Sequence, residues 1–235
     1  MKLLRNVKLY DKQQVPVLIS DEVKVLNDAL SAGMAVIAII NGNSTIPVGL
    51  CRYALTQIED INDIDEDFLY TVACRHLNLP LMLSESERIY IREFKPGDFN
   101  ALSELSAFND DVAIFTDRDL FISYTKNRYE FYNYGLWAVV EKQGGCLIGT
   151  VGFTETDKAD IYELSYAVHK DFRQMGYATE ALYMVIEYAY KKFAISKFTA
   201  RISYNNEASK SLILKVKKEL YDNQRMISIF VNYRR

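Results

Sequence analysis

The sequence predicts an α/β protein built from two units, and two observations support that prediction. Short apolar runs typical of buried strands alternate with stretches of helical periodicity along the 235 residues. The alternation is interrupted at Leu79-Pro80-Leu81, and the polar run Ser84-Glu85-Ser86-Glu87 follows. We therefore expect a small α/β domain over residues 1–84 and a larger domain over residues 85–235.

The first domain shows strand, helix, strand, strand and helix patterns. In that order they cover residues 15–20, 21–32, 35–40, 51–56 and 65–76. Alternation of this kind predicts a small parallel sheet. No Gly-rich phosphate loop follows the first strand, and Ser20 or Asp21 is interpreted as a helix N-cap in preference to an acidic site.

The second domain is predicted to follow the order β-α-α-β-β-β-α-β-α-β. Strands are expected over residues 88–92, 136–141, 146–154, 161–169, 197–204 and 226–233. Helices are expected over residues 96–107, 117–133, 177–193 and 208–217. The turn residues Lys142-Gln-Gly-Gly145 predict a hairpin between the second and third strands.

Composition excludes several classes of protein. Hydrophobic residues make up 49% and charged residues 25% of the chain, and the net charge is −3, so we expect a globular protein with no nucleic-acid partner. The three cysteines form no CxxC pair and there are two histidines, which predicts neither a metal site nor a disulfide framework. No signal peptide or membrane span is indicated, and a cytoplasmic location is expected.

The charge is distributed unevenly along the chain. Residues 1–84 carry a net charge of −3 and residues 201–235 a net charge of +5. A basic segment of this kind is typical either of a solvated surface or of a site near a polyanionic ligand. The charge alone does not decide between the two.

The segment Arg173-Gln-Met-Gly176-Tyr-Ala178 carries the strongest signal for a ligand. It follows a predicted strand and begins a predicted helix, so backbone N–H groups and the positive end of the helix dipole point at one place. Gly176 and Ala178 are small enough for close approach, Arg173 adds positive charge and Thr179 adds a hydroxyl. A pyrophosphate group fits this arrangement.

This segment resembles the (R/Q)-x-x-G-x-(G/A) acyl-CoA motif of the GNAT acetyltransferase superfamily. Four other segments are similar to that family in the same order: Glu87–Arg92 with Asp98, Leu147–Gly149, Glu163–Val168 and Asn206–Ser209. The first of them is similar to the opening strand of ribosomal-protein acetyltransferase-like members. The resemblance covers about residues 86–235. It implies a GNAT fold with a mixed, largely antiparallel central sheet, here preceded by the small α/β domain.

The resemblance implies transfer of an acetyl group from acetyl-CoA to a primary amine, by direct attack in a ternary complex and without a metal. The implied cofactor-binding residues lie at the end of the fourth strand, in the loop after it and at the start of the penultimate helix: Val168, His169, Arg173, Gln174, Met175, Gly176, Tyr177, Ala178, Thr179, Asn206, Ser209 and Lys210. Val168 would pair with the pantetheine arm, Asn206 would bond to it, and Lys210 would face the nucleotide phosphates.

For the chemistry, the resemblance implies a carboxylate on the fourth strand that accepts the proton of the amine, and Glu163 holds that position. A plain surface or ion-pair role is the alternative for Glu163. Ser209, Tyr166 or solvent would protonate the leaving thiolate, because Ile213 stands where many members have a tyrosine. A second departure is Val216-Lys217-Lys218 in place of the L-G-F that often ends this helix.

The implied acceptor is a protein N-terminus or a small-molecule amine, bound between the first two helices and the last hairpin. Candidate residues for that pocket are Asn109, Asp110, Asp111, Phe115, Tyr124, Tyr132, Tyr134 and Trp137. Asp110 and Asp111 would attract a cationic amine or belong to a solvated loop, and Trp137 is expected in the core. Residues 1–84 are interpreted as a structural or substrate-restricting module. A non-catalytic module that senses acetyl-CoA is the alternative function, and both a monomer and a homodimer are compatible with the sequence.

Overall fold

The computed structural model describes residues 2–9, 13–40, 46–47, 50, 53–56, 64–106 and 113–234. The chain divides into two compact units, residues 1–81 and 82–235. The predicted boundary between residues 84 and 85 lies three residues further on, inside the first strand of the second unit.

The first unit is a four-stranded sheet with a helix on each face. The strands lie side by side in chain order: β1 (Lys2–Lys8), β2 (Gln14–Ser20), β3 (Ala35–Ile40) and β4 (Ala54–Thr56). The helices are α1 (Val23–Ser31) and α2 (Glu66–His76). Leu18 and Val36 pack with α1, whereas the alternate residues Ile19 and Ile37 pack with α2. Because both faces are covered, β2 and β3 are continuous apolar runs.

The predicted parallel sheet of the first unit is confirmed only in part. β2, β3 and β4 are parallel, but β1 pairs antiparallel with β2 and was not predicted. In β1 only Val7 is buried, and charged residues interrupt its apolar positions, so its pattern does not indicate a core strand. Residues 41–43 and 51–52, which belong to a predicted turn and a predicted strand, lie outside the described residues.

The second unit is a seven-stranded sheet whose strands also follow one another in chain order. They are β5 (Met82–Glu85), β6 (Ile89–Arg92), β7 (Leu136–Glu141), β8 (Leu147–Glu155), β9 (Tyr162–Val168), β10 (Lys197–Ser203) and β11 (Ser228–Arg234). The helices are α3 (Phe99–Ser106), α4 (Arg118–Tyr132), α5 (Tyr177–Phe193) and α6 (Glu207–Asp222). None of the helices in the described ranges combines the length and apolar character needed to cross a bilayer.

The strand directions confirm the predicted mixed, largely antiparallel sheet. All pairings from β5 to β9 are antiparallel, and β9–β10 and β10–β11 are parallel. The implied last hairpin is wrong for the described residues, because α6 connects two parallel strands. The predicted element order is confirmed with β5 added at the edge. That strand has the sequence MLSE and is exposed or half-exposed, which explains why it was interpreted as a polar linker.

A buried ion pair joins the end of β6 to the turn that leads into α3. Arg92 Nη1 and Nη2 donate to Asp98 Oδ2 and Oδ1 at 2.6 and 3.0 Å. Asp98 Oδ2 also accepts from Lys95 N at 2.8 Å, in the 3₁₀ turn Pro96–Asp98 that leads into α3. The spacing between Arg92 and Asp98 in the sequence therefore reflects a bidentate pair in the core.

β9 and β10 separate soon after they begin, and this separation positions the site. Their parallel pairing ends at Glu163 and Thr199, whereas β9 stays paired with β8 as far as Val168. Gly149 permits the close approach of β8, because a Cβ there would lie 2.3 Å from the carbonyl oxygen of Ala167.

Candidate active site

A cavity of about 650 Å³ lies beside the part of β9 that has left β10. Its walls come from the end of β9, the loop that follows, the first turn of α5 and the first turns of α6. The lining residues are Tyr166, Ala167, Val168, Phe172, Arg173, Gln174, Gly176, Tyr177, Ala178, Thr179, Asn206, Ala208, Ser209 and Leu212. The volume is in the range of small-molecule and cofactor sites.

The loop between β9 and α5 turns the main chain around one side of the cavity. Gln174 and Gly176 have φ angles of +61° and +84°, the left-handed region that favours glycine. The first hydrogen bond of α5 runs from Glu180 N to Gly176 O. The N–H groups of residues 177–179 therefore have no acceptor within the helix, and all three residues line the cavity. With the helix dipole they favour an anion here.

The main chain of β9 presents further polar groups to the cavity. His169 N donates to Ile148 O of β8 at 2.8 Å, so the peptide groups of Val168 and Tyr166 face away from β8, where β10 is no longer paired. Val168 O accepts from Arg173 Nε at 3.2 Å, which ties the arginine to the end of the strand. An extended ligand with amide groups can pair with this edge as an added strand does.

The start of α6 completes the cavity. Asn206 Oδ1 accepts from Ser209 N at 3.0 Å and so caps the helix, while its amide N–H₂ group has no hydrogen-bond partner among the described residues. The Tyr166 hydroxyl donates to Ser209 O at 3.4 Å, and burial raises the pKa of Tyr166. A protonated phenol and an amide donor therefore lie in the same wall.

Glu163 is held in an ion pair at the point where β9 and β10 separate. Arg201 Nε donates to Glu163 Oε1 at 2.7 Å, and Arg201 Nη2 lies 2.5 Å from Oε2. Side chains alternate along a strand, so Glu163 and Tyr166 project from opposite faces of the sheet. Glu163 does not belong to the cavity wall described above.

Most residues predicted to bind the cofactor line this cavity, and three do not. His169 Nδ1 accepts from Asp171 N and caps the 3₁₀ turn that follows. Met175 is 55% exposed. Lys210 Nζ donates to Glu207 Oε1 at 2.7 Å. Of the three predicted catalytic residues, Tyr166 and Ser209 line the cavity and Glu163 lies behind it on the other face.

Four lining residues were not predicted: Ala167, Phe172, Ala208 and Leu212. Leu212 had a usable signal, because it stands three residues after Ser209 and so shares its helix face. Ala167 also had one, since it adjoins Val168 in the strand motif. Phe172 precedes Arg173 in the chain, and Ala208 lies between Asn206 and Ser209, so both adjoin residues that were predicted.

The described candidates for the acceptor pocket divide between the core and a surface cluster. Phe115 and Trp137 are buried, at 2% and 0% exposure, and the expectation for Trp137 is confirmed. The Tyr124 hydroxyl accepts from Leu136 N, and desolvation raises its pKa to about 12. Tyr132 and Tyr134 flank the guanidinium of Arg128. Three candidates lie outside the described residues: Asn109, Asp110 and Asp111.

Comparisons with known proteins cover the second unit. Residues 88–217 match a family model described as an acetyltransferase (GNAT) domain. The uncharacterized N-acetyltransferase YnaD of Bacillus subtilis (strain 168) is 25% identical over 136 residues, which are 56% of this chain and 79% of YnaD. The acetyltransferase (GNAT family) structure from Bacillus anthracis is 18% identical with a TM-score of 0.47, over 58% of this chain and 82% of that one. The ribosomal-protein-S5-alanine acetyltransferase structure from Vibrio fischeri is 16% identical with a TM-score of 0.49, over 58% and 81% of the two chains.

Proposed function

Because the chain belongs to the GNAT acetyltransferase family, as the match over residues 88–217 shows, we propose that it transfers the acetyl group of acetyl-CoA directly to an α-amino group. The family match confirms the predicted resemblance and the predicted class of enzyme, an acyltransferase. The proposal of acetyl transfer from acetyl-CoA is supported mainly by the cavity beside the part of β9 that is not paired with β10. The N–H groups at the start of α5, the edge of β9 and the phenol of Tyr166 all face this cavity.

In this proposal each wall of the cavity binds one part of acetyl-CoA. The N–H groups at the start of α5 and Arg173 hold the pyrophosphate. The Val168 N–H and the Tyr166 carbonyl would pair with amides of the pantetheine arm. The Asn206 amide N–H₂ group donates to a carbonyl of that arm, since its oxygen is already used as the helix cap. The thioester would then lie near Tyr166 and Ser209, in the wall formed by β9 and α6.

Tyr166 would stabilise the leaving thiolate by a hydrogen bond. Its burial raises its pKa above the ordinary value of 10.0, while a thiol has a pKa of about 8.5. Complete proton transfer from Tyr166 to the thiolate is therefore uphill by about 2 kcal/mol or more. We expect the phenol to keep its proton and solvent to supply the final one. The Tyr166 N–H, which faces the opening, is positioned to stabilise the oxyanion.

The ion pair between Glu163 and Arg201 favours an acceptor amine that is already partly neutral near pH 7.5. The amine must be neutral to attack, and both oxygens of the Glu163 carboxylate are engaged by Arg201. An α-amino group has a pKa of about 7.7–8.0, so a substantial fraction is neutral near pH 7.5, whereas a lysine-type amine with a pKa of about 10.4 is almost fully protonated. Glu163, on the face opposite Tyr166, would accept the proton directly or through one water as the bond forms.

The proposal is tested by acetyl-CoA binding and by turnover. Calorimetry should give a saturable acetyl-CoA isotherm, and release of free thiol should follow addition of peptides that carry a free α-amino group. Matched peptides with a blocked N-terminus and one free lysine, together with a polyamine, test the amine preference. No binding at millimolar acetyl-CoA would refute the cofactor assignment.

The alternative of an acetyl-CoA sensor is favoured by one feature of the site. Ile213, at the position where many family members have a tyrosine, is fully buried and offers no proton donor. Acetyl-CoA binding without thiol release across the whole amine panel would support the sensor. Release with α-amino peptides would exclude it.

A further inference from the structure

Arg88, at the turn between β5 and β6, reaches across to the loop that begins α5. Its Nη1 donates to Met175 O at 2.9 Å, and its Nε donates to Glu180 Oε2 at 2.9 Å. Its guanidinium carbon lies 4.6 Å from the ring centroid of Tyr177. One side chain from a distant turn therefore contacts three successive parts of the loop and the helix.

The bond to Met175 O orients the peptide group that leads into Gly176. In a planar trans peptide the carbonyl and the following N–H point in opposite directions, and the described residues contain no cis peptide. Because Arg88 holds the Met175 carbonyl on its own side, the Gly176 N–H points to the other side. Gly176 lines the cavity, whereas Met175 and Arg88 do not, which agrees with an N–H on the cavity side.

Arg88 also neutralises a carboxylate next to the anion site. Glu180 lies in the first turn of α5, and its charge there would oppose a bound pyrophosphate. Arg88 binds Glu180 Oε2, while the Ser86 hydroxyl donates to Glu180 Oε1 at 2.6 Å. Both oxygens of Glu180 are thus directed toward the β5–β6 turn.

We propose that Arg88 is a positioning residue for the pyrophosphate site: it fixes the Gly176 N–H toward the cavity and cancels the charge of Glu180. The proposal rests on the proposed function, since it concerns the same loop. It assigns Arg88 no contact with the acetyl group or with the amine. Its loss should therefore affect ligands that carry the pyrophosphate and spare those that lack it.

The test compares acetyl-CoA with S-acetylpantetheine, which lacks the nucleotide and its phosphates. Loss of charge-assisted bonds around the loop should raise the acetyl-CoA Kd of Arg88→Met by about 10- to 100-fold. The kcat/KM for S-acetylpantetheine should stay within about twofold of the wild type. Adding Glu180→Gln to Arg88→Met should recover part of the lost acetyl-CoA affinity, which a merely structural role of Arg88 would not produce.

Two further variants complete the design. Arg118→Met removes an exposed arginine at the start of α4 and should leave both ligands unaffected. Arg88→Lys keeps the positive charge but loses the guanidinium with its several N–H donors, so its acetyl-CoA Kd should lie between those of the wild type and Arg88→Met. If Arg88→Met has a lower melting temperature, the comparison is made with Arg88→Lys. Equal acetyl-CoA affinity of wild type, Arg88→Lys and Arg88→Met, or an equal loss with both ligands, overturns the inference alone. Absence of acetyl-CoA binding by the wild type overturns the proposed function and the inference with it.

Discussion

Replacing Asp98 by asparagine should strongly destabilise the second unit. The Arg92 and Asp98 side chains are 10% and 5% exposed, and the substitution leaves the arginine charge buried without its partner. Breaking a buried pair on one side costs about 3–5 kcal/mol, a large part of a typical folding free energy of about 5–15 kcal/mol. For a unit of this size the melting temperature should fall by about 6–20 °C.

The chain contains a natural reporter for this measurement. Trp137 is its single tryptophan, and it is fully buried in the core of the second unit. Urea unfolding followed by Trp137 fluorescence therefore reports the second unit, and circular dichroism reports both units. This separation matters because two-state analysis of the whole chain is not justified for two compact units.

Two comparison variants make the result specific. Glu85→Gln breaks the Lys142–Glu85 pair, in which the Glu85 side chain is 67% exposed, and should cost less than about 1 kcal/mol. Arg92→Met with Asp98→Leu removes both charges and should recover about 2 kcal/mol of the loss, leaving about 1–3 kcal/mol for the unpaired Lys95 N. A cost below about 1 kcal/mol for Asp98→Asn would refute the reasoning.

Three further predictions concern the site and its surroundings. Gly176→Glu should raise the acetyl-CoA Kd measured by calorimetry more than about 100-fold, because it strains a φ of +84° and adds a negative charge near the proposed pyrophosphate site. Gly145→Glu, at φ +65° in the β7–β8 turn, is the matched control. An equal loss of acetyl-CoA affinity in Gly145→Glu would contradict the assignment. Glu163→Gln should lower kcat at neutral pH about tenfold or more and leave the acetyl-CoA Kd within about twofold, so unchanged turnover would remove Glu163 from the mechanism. The second unit should lose stability as pH rises from 10 to about 12, because Tyr124 in the unfolded chain ionises near pH 10 while the folded group keeps its proton up to about pH 12. In Tyr124→Phe the urea midpoint of unfolding should fall less steeply between pH 10 and 12. An unaltered slope would contradict the prediction.

The fold was predictable where local pattern and tertiary environment agree. α5 extends over Tyr177–Phe193 as predicted, because its apolar face and its start after Gly176 are encoded locally. β1 and β5 were missed because both are edge strands with mostly exposed or half-exposed residues, so their patterns resemble linkers. The parallel pairing of β10 with β11 had a usable signal, because the helix predicted over residues 208–217 is a connection typical of parallel strands and not of a hairpin.

The cavity wall was predictable where it comes from the main chain of one contiguous segment. Most of residues 173–179 line the cavity, and the role proposed for them follows from a strand, a turn and a helix start. The partners of individual side chains were not predictable. Arg201 lies 38 residues from Glu163 and Arg88 lies 92 residues from Glu180, so only the folded sheet brings each pair together.

The basic C-terminal segment contributes less to the anion site than its charge of +5 suggests. Lys210 pairs with Glu207, Lys215 with Glu219 and Arg201 with Glu163, so several of its charges are compensated locally. Exposed charges are also screened within about 8 Å at physiological ionic strength. The N–H groups of residues 177–179 belong to the main chain at the start of α5, and all three residues line the cavity. In the proposed function, attraction for a pyrophosphate would therefore come mainly from the loop and Arg173, and the net charge of the C-terminal segment does not identify the binding site.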